Sequence, residues 1–176
     1  MAGGHGGFTQ HVINTGIYHY RVHQGTMFST EVYDVALAGA ASLEMLIRTS
    51  TVGIHCLYNA SLGGDASVSF FEAPTVTVVG TPLVPINHNR NSAFATTTLV
   101  YEAPTTTADG TELDVLIMPG GTGGNSQGNS GAILLDWELA ASTDYLIRLT
   151  NLTGQAQVAH LHVNYYENEK TAGAPS

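Results

Sequence analysis

From residue 17 onward the chain breaks into short runs of alternating apolar and polar residues, each closed by Gly, Pro, Asn or Asp. Such a pattern suits half-buried strands joined by tight turns and leaves little room for helix. The runs predicted as strands span 17–23, 31–37, 43–49, 53–58, 66–71, 75–79, 96–101, 113–118, 133–139, 144–151 and 157–166. The alternation is cleanest near the end. Tyr145, Ile147 and Leu149 share one face opposite Leu146 and Arg148. In the last run Val158, His160, His162 and Asn164 oppose Ala159, Leu161, Val163 and Tyr165. The best helical stretch, 35–46, gains propensity from Ala38, Ala40 and Ala41, but Gly39 interrupts it and it reads as strand–turn–strand. Many short strands at regular spacing predict an all-β sandwich or barrel.

An internal near-repeat fits that architecture. Glu72-Ala73-Pro74-Thr75-x-Thr77-x-x-Gly80-Thr81-x-Leu83 recurs as Glu102-Ala103-Pro104-Thr105-x-Thr107-x-x-Gly110-Thr111-x-Leu113, with Phe71 or Tyr101 before each copy. Each proline falls where a strand ends, since proline cannot donate to a ladder. A pair of copies is too few for a solenoid, so the repeat predicts two similar strand–turn–strand corners.

Domain organisation follows from the ends. Residues 1–16 are Gly-rich and aperiodic and are read as an N-terminal arm, with 17–167 as the sandwich domain and 168–176 as a tail. The arm residues Gly3, His5, Phe8, His11 and Gly16 are the candidate docking residues, because an extended arm can pair with a neighbour's exposed strand edge.

Charge excludes several functions. Only 11% of residues are charged against 43% hydrophobic, and the net charge is −9 with Lys and Arg together numbering 5. Cations this sparse cannot neutralise a phosphate backbone, so neither nucleic acid nor an anionic membrane surface is expected as a partner. No apolar run approaches the roughly 20 residues of a membrane helix. Cys56 is the one cysteine, in an apolar stretch, and reads as a buried inert thiol.

Motifs that carry chemistry break down one by one. The Gly-rich stretch 119–131 lacks the lysine and following helix of a phosphate loop. Gly124-Asn125-Ser126-Gln127-Gly128 has the letters of a nucleophile elbow but lies inside that loop rather than on a strand-to-helix turn. Carboxylates are too isolated for a paired-acid site. Gly154-x5-His160-x-His162-x4-Glu167 is similar to the first metal motif of cupins, which makes His160, His162 and Glu167 the candidate metal ligands. Position 174 departs from that motif, being Ala174 where the family places glycine, and no second motif follows. Further ligands would have to come from His19, His23 or His55, and neither a metal nor another cofactor is expected.

Across roughly 25–167 the chain resembles tailed-phage head proteins described as decoration, cement or auxiliary head proteins. The resemblance rests on motifs in order. They are Gly63-Gly64-Asp65-Ala66, Phe71-Glu72-Ala73-Pro74-Thr75, Asn89-Arg90-Asn91-Ser92, Pro119-Gly120-Gly121-Thr122-Gly123-Gly124, Trp137-Glu138-Leu139 and Tyr145-Leu146-Ile147-Arg148-Leu149-Thr150-Asn151. It implies a jelly-roll-like β-sandwich, non-enzymatic, made in the host cytoplasm and carried on the outer surface of the virion. It also implies the major capsid protein as partner and a homo-oligomer, a trimer by preference. The arm has no counterpart in the resemblance. Two other readings share the architecture: a cupin-like metal-binding enzyme and a carbohydrate- or receptor-binding module. With cations so few, Arg90 and Arg148 are each expected either to pair with a carboxylate such as Asp65 or Glu72 or to face solvent alone.

Overall fold

Alternation in the sequence becomes alternation in space. In a computed structural model, which describes residues 16–120 and 135–167, one helix precedes a series of strands. They are α1 (Ile17–Gln24), β1 (Met27–Leu37), β2 (Ser42–Arg48), β3 (Ile54–Leu62), β4 (Ala66–Glu72), β5 (Thr75–Val78) and β6 (Thr81–Leu83). Then come β7 (Ile86–Asn87), β8 (Leu99–Glu102), β9 (Thr105–Ala108), β10 (Thr111–Met118), β11 (Leu135–Leu139), β12 (Asp144–Asn151) and β13 (Gln157–Glu167).

The strands form a five-stranded sheet ordered β11-β3-β13-β1-β7, a six-stranded sheet ordered β10-β4-β12-β2-β8-β6, and a small β5-β9 ribbon. Every pairing is antiparallel. Without β6, β7 and β8, the order is β1-β13-β3-β11 facing β2-β12-β4-β10. That is the jelly-roll order, and the expected all-β sandwich is the observed fold.

The core lies between the sheets. Phe28, Val32, Ile54, Leu161, Val163 and Tyr165 from one sheet meet Met45, Ile47, Val68, Phe70, Ile147 and Leu149 from the other. Each such side chain contributes roughly 1.5–3 kcal/mol by leaving water. Cys56 lies among them, fully buried, and burial pushes its thiol up to about 12. Asn151 is a polar exception with its bonds made: its amide donates to the carbonyls of Leu37, Ala38 and Gln155 at 3.0, 3.1 and 2.8 Å. It therefore ties the turn after β1 to the turn after β12.

The near-repeat has a structural meaning that its two corners alone do not convey. Glu72 of the first copy pairs with Thr111 of the second, and Glu102 of the second pairs with Thr81 of the first. Thr75 meets Ala108 and Val78 meets Thr105, so the copies pair with each other about a local pseudo-dyad. The axis extends into the sheet, whose order exchanges β10 with β6, β4 with β8 and β12 with β2. Even the central strands match: Glu44-x-Leu46-Ile47-Arg48 lies antiparallel to Asp144-x-Leu146-Ile147-Arg148, with Leu46 opposite Leu146.

Two glycines make the corners close. Gly80 and Gly110 have φ of +90° and +84°, and a Cβ there would lie 2.0 Å from the Glu102 carbonyl oxygen and 2.1 Å from that of Glu72. Ala73 and Ala103, at φ of 53° and 50°, begin the two corners. Their amides bond to the Asp144 and Glu44 carbonyls at 2.8 and 3.3 Å. Pro74 and Pro104 follow and are buried. Leu46 and Leu146 point away from the core and are nonetheless fully buried, which places the ribbon over this outer face.

Arg148 does pair with carboxylates, but with neither Asp65 nor Glu72. Arg148 binds Asp109 in a bidentate pair at 2.6 and 2.8 Å and also meets Glu44. The pseudo-dyad sets this arrangement, since antiparallel Glu-x-x-x-Arg and Asp-x-x-x-Arg strands bring each arginine to the other strand's acid. Arg48 accordingly holds Asp144 through two 2.7 Å bonds. Asp65 instead accepts the Gly120 amide at 2.5 Å, and Glu72 accepts the Tyr145 hydroxyl at 2.8 Å. Arg90 is exposed in the turn after β7.

Candidate functional site

The other outer face, on the five-stranded sheet, carries the histidines. Period-2 geometry turns His160, His162 and Asn164 of β13 outward, and register sets their neighbours. Tyr33 and Ser61 flank His160, Glu31 and Asn59 flank His162, and Ser29 and Leu57 flank Asn164. The result is a grid of amides, hydroxyls and imidazoles, with Leu57 beside Asn164.

The side chains on this face are linked. His160 Nε2 lies 3.1 Å from Glu31 Oε2, and the His160 and His162 rings stack with centroids 6.0 Å apart. The Asn164 amide lies 3.3 Å from His162 Nδ1. Burial holds the His162 imidazole below its ordinary pKa of 6.5, and the His160 charge adds to this while Glu31 opposes it. At one end of the face Tyr33, Val35 and Val158 are 66%, 69% and 59% exposed.

Of the candidate ligands, the structure brings His160 and His162 together and sends Glu167 elsewhere. Glu167 is an odd number of residues from either histidine, so a continuous strand turns it to the opposite face. There its Oε1 accepts the Thr97 and Thr98 amides at 2.6 and 2.9 Å and the Thr96, Thr97 and Thr98 hydroxyls at 2.7, 2.9 and 3.2 Å. Burial alone raises its pKa, but these bonds outweigh burial and the net shift is downward. Glu167 therefore anchors the strap before β8. Among the described residues no group of three or more His, Cys, Asp or Glu is placed to hold a metal ion. The cupin spacing has the same residue parity, so it is the unbroken run of β13 through Glu167 that separates this strand from the motif.

The opposite end of the grid is capped by α1, which overturns the strand expected over 17–23. Gly16 occupies the N-cap and Gly25, at φ 71°, the left-handed C-cap, bonding back to the Arg21 and Val22 carbonyls. The alternation of Ile17, Tyr18, His19 and Tyr20 mimics a strand, but tertiary contact decides for helix. Tyr18 sets its ring 6.3 Å from His55 and 6.2 Å from Tyr166, and its hydroxyl donates to Asp136 at 3.4 Å. Burial, then the Asp136 charge, pushes the Tyr18 hydroxyl up to about 12. Arg21 lies 4.7 Å over the Tyr166 ring. His55 stacks on Tyr166 at 4.9 Å and pairs with Asp136. A hollow of about 170 Å³ remains between Tyr18, Met27, Leu57 and Asn164. The bracketing Gly16 and Gly25 are compatible with helix ends, but glycine closes strands in this sequence as well.

A second, open cleft of about 580 Å³ lies at the end of the sandwich, lined by Arg48, Ser50, Thr51, Thr97, Ser142 and Asp144 among others. Its polar groups are hydroxyls and the Arg48–Asp144 pair, suited to hydrogen bonding rather than to nucleophilic attack. Among the arm candidates, Gly16 is the N-cap of α1. Gly3, His5, Phe8 and His11 lie outside the described residues, as does the 124–128 segment.

No protein-family model matches the sequence, and no curated protein matches it significantly.

Proposed function

We propose that the chain is a non-enzymatic decoration protein of a tailed phage, bound to the outer surface of the capsid through the major capsid protein and stabilising the head. The observation that carries this reading is the exposed patch of Tyr33, Val35 and Val158 on the sheet face that also carries Glu31, Asn59, Ser61, His160 and His162. Exposed apolar residues set in a rim of polar hydrogen-bonding groups suit contact with another protein. The ordered motifs that resemble decoration proteins support the same reading, as does the jelly-roll sandwich that the resemblance implies. Assembly as a homotrimer multiplies each contact, so attachment gains by multivalency. In this reading the protein is made in the host cytoplasm and resides on the virion.

The test is binding to undecorated heads of the phage that encodes the chain, with copies per head counted by electron cryomicroscopy. Saturable attachment, weakened by Tyr33→Asp and by removal of residues 3–15 in a chain that still folds, is the expected result. Heads that take up no protein would sink the proposal. Native mass spectrometry adds the oligomeric state, a trimer being expected.

A glycan-binding module is the second reading. It is favoured by Tyr33, an exposed ring beside His160 and Ser61 on the same sheet face. Binding on a glycan array that Tyr33→Ala abolishes, without attachment to heads, would place it first.

A further inference from the structure

The inward side of α1 is occupied by Tyr18 and Arg21, which pack against the five-stranded sheet. Its solvent side presents a different pair. His19 and His23 are exposed, four residues apart and thus one helical turn from each other. Their rings are edge-on with centroids 4.4 Å apart, and their Nε2 atoms lie 2.9 Å apart.

That separation is an ordinary hydrogen-bond length, and it is also a span that a chelated ion can bridge. At an imidazole–metal length of ~2.05 Å, two nitrogens at a right angle lie about 2.9 Å apart, and at a tetrahedral angle about 3.3 Å. Right-angle sites built from imidazole are those of tetragonal copper(II) and nickel(II). We propose that His19 and His23 form a two-imidazole chelate for a divalent copper or nickel ion on the solvent face of α1, with water filling the remaining positions.

In the metal-free pair one Nε2–H donates to the other Nε2. Metal uptake needs both Nε2 lone pairs, so the donating ring carries its proton on Nδ1 instead and no proton is lost from either ring. The chelate spans one turn of an 8-residue helix, a length below that which is stable alone in water. A ligand that binds only the helical form shifts the population toward it. The ion therefore acts as a clamp that holds α1, and with it Tyr18 and Arg21, on the histidine-bearing face. This inference is independent of the capsid reading.

Titration of the full chain with copper(II) and nickel(II) chloride, with magnesium as control, tests the site. The expected result is one equivalent of copper or nickel bound, magnesium ignored, and copper affinity lowered by more than about tenfold in His19→Ala and equally in His23→Ala. Alanine raises helix propensity at both exposed positions, so the variants keep α1, which circular dichroism checks. A chain carrying His5→Ala and His11→Ala together, and a separate His160→Ala chain, should bind copper unchanged. Affinity unaltered in both His19→Ala and His23→Ala, or lost in the His5→Ala/His11→Ala chain, overturns the assignment.

Discussion

The two outer faces of this sandwich are built on opposite plans. On the six-stranded sheet, a strand pattern used twice about a pseudo-dyad folds a ribbon back over the face and seals Leu46 and Leu146 at 0% exposure. On the five-stranded sheet, the corresponding surface is open among the described residues, carrying histidines, amides and the exposed Tyr33, with α1 covering one end. The covered face spends its side chains on cohesion. The open face leaves its hydrogen-bonding groups available, and that is where the partner proposal belongs, while the metal proposal lies on the solvent side of the helix that caps it.

The largest test of this contrast is truncation on each face. Leu146→Ala should cost about 3 kcal/mol by loss of a fully buried side chain and the cavity left behind. Val158→Ala on the open face should stay within about 0.5 kcal/mol. Urea denaturation of both variants measures this, and similar costs would mean that the ribbon does not seal its face.

Next come the paired corners. Gly80→Ala and Gly110→Ala each force a Cβ against a carbonyl oxygen at positive φ and should cost roughly 2–3 kcal/mol. If the pseudo-dyad governs stability, the two costs agree and hydrogen exchange rises in β5 and β9 alike. Unequal costs would show that the symmetry is one of shape only.

The ion pairs should divide the two halves of the dyad. Arg148 is held by Asp109 and Glu44 and is 23% exposed, whereas Arg48 has Asp144 and is 39% exposed. Arg148→Met should therefore cost about 2 kcal/mol, a value below that of a fully buried pair because solvent screens it. Arg48→Met should cost under about 1 kcal/mol. Equal values from thermal unfolding would place the ribbon's anchor elsewhere.

Titration gives effects confined to particular pH ranges. Glu167 has its pKa held below the ordinary 4.5 by the threonine hydrogen bonds that outweigh burial, and the Arg148 hydrogen bond holds Asp109 below 3.8. Both contribute stability that is present above those ordinary values and lost as pH falls through the lower folded ones. Glu167→Gln should flatten that acid limb and cost about 1–2 kcal/mol at neutral pH. His162 acts at higher pH: its depressed folded pKa means stability present above 6.5 and lost gradually as pH falls below it. In His162→Asn the melting temperature should lose that slope while the acid limb remains.

The strands of the core were legible because alternation and turn residues report local geometry directly. The sequence runs at 66–71 and 144–151 became β4 and β12 nearly unchanged. The two-residue β7 was not predicted, and β6 and β9 were foreseen as arms of the repeat's two corners without being given as strand runs of their own. At the site, strand parity already turned His160 and His162 to one face and, read through to residue 167, separated Glu167 from them. Helix α1 was hidden because its aromatic and β-branched residues favour strand, and it was contact with His55 and Tyr166 that settled the matter.

By itself the sequence determined the longer core strands, which side of each is apolar and where the chain turns between them, since these depend on neighbours in the chain. Which strands pair, which arginine meets which acid, and which outer face is covered were decided by tertiary structure. Glu72 lies far along the chain from Thr111, and Arg148 farther still from Glu44, yet each pair is in register. Such partners are chosen by the closing of two sheets around one core, which no local window contains.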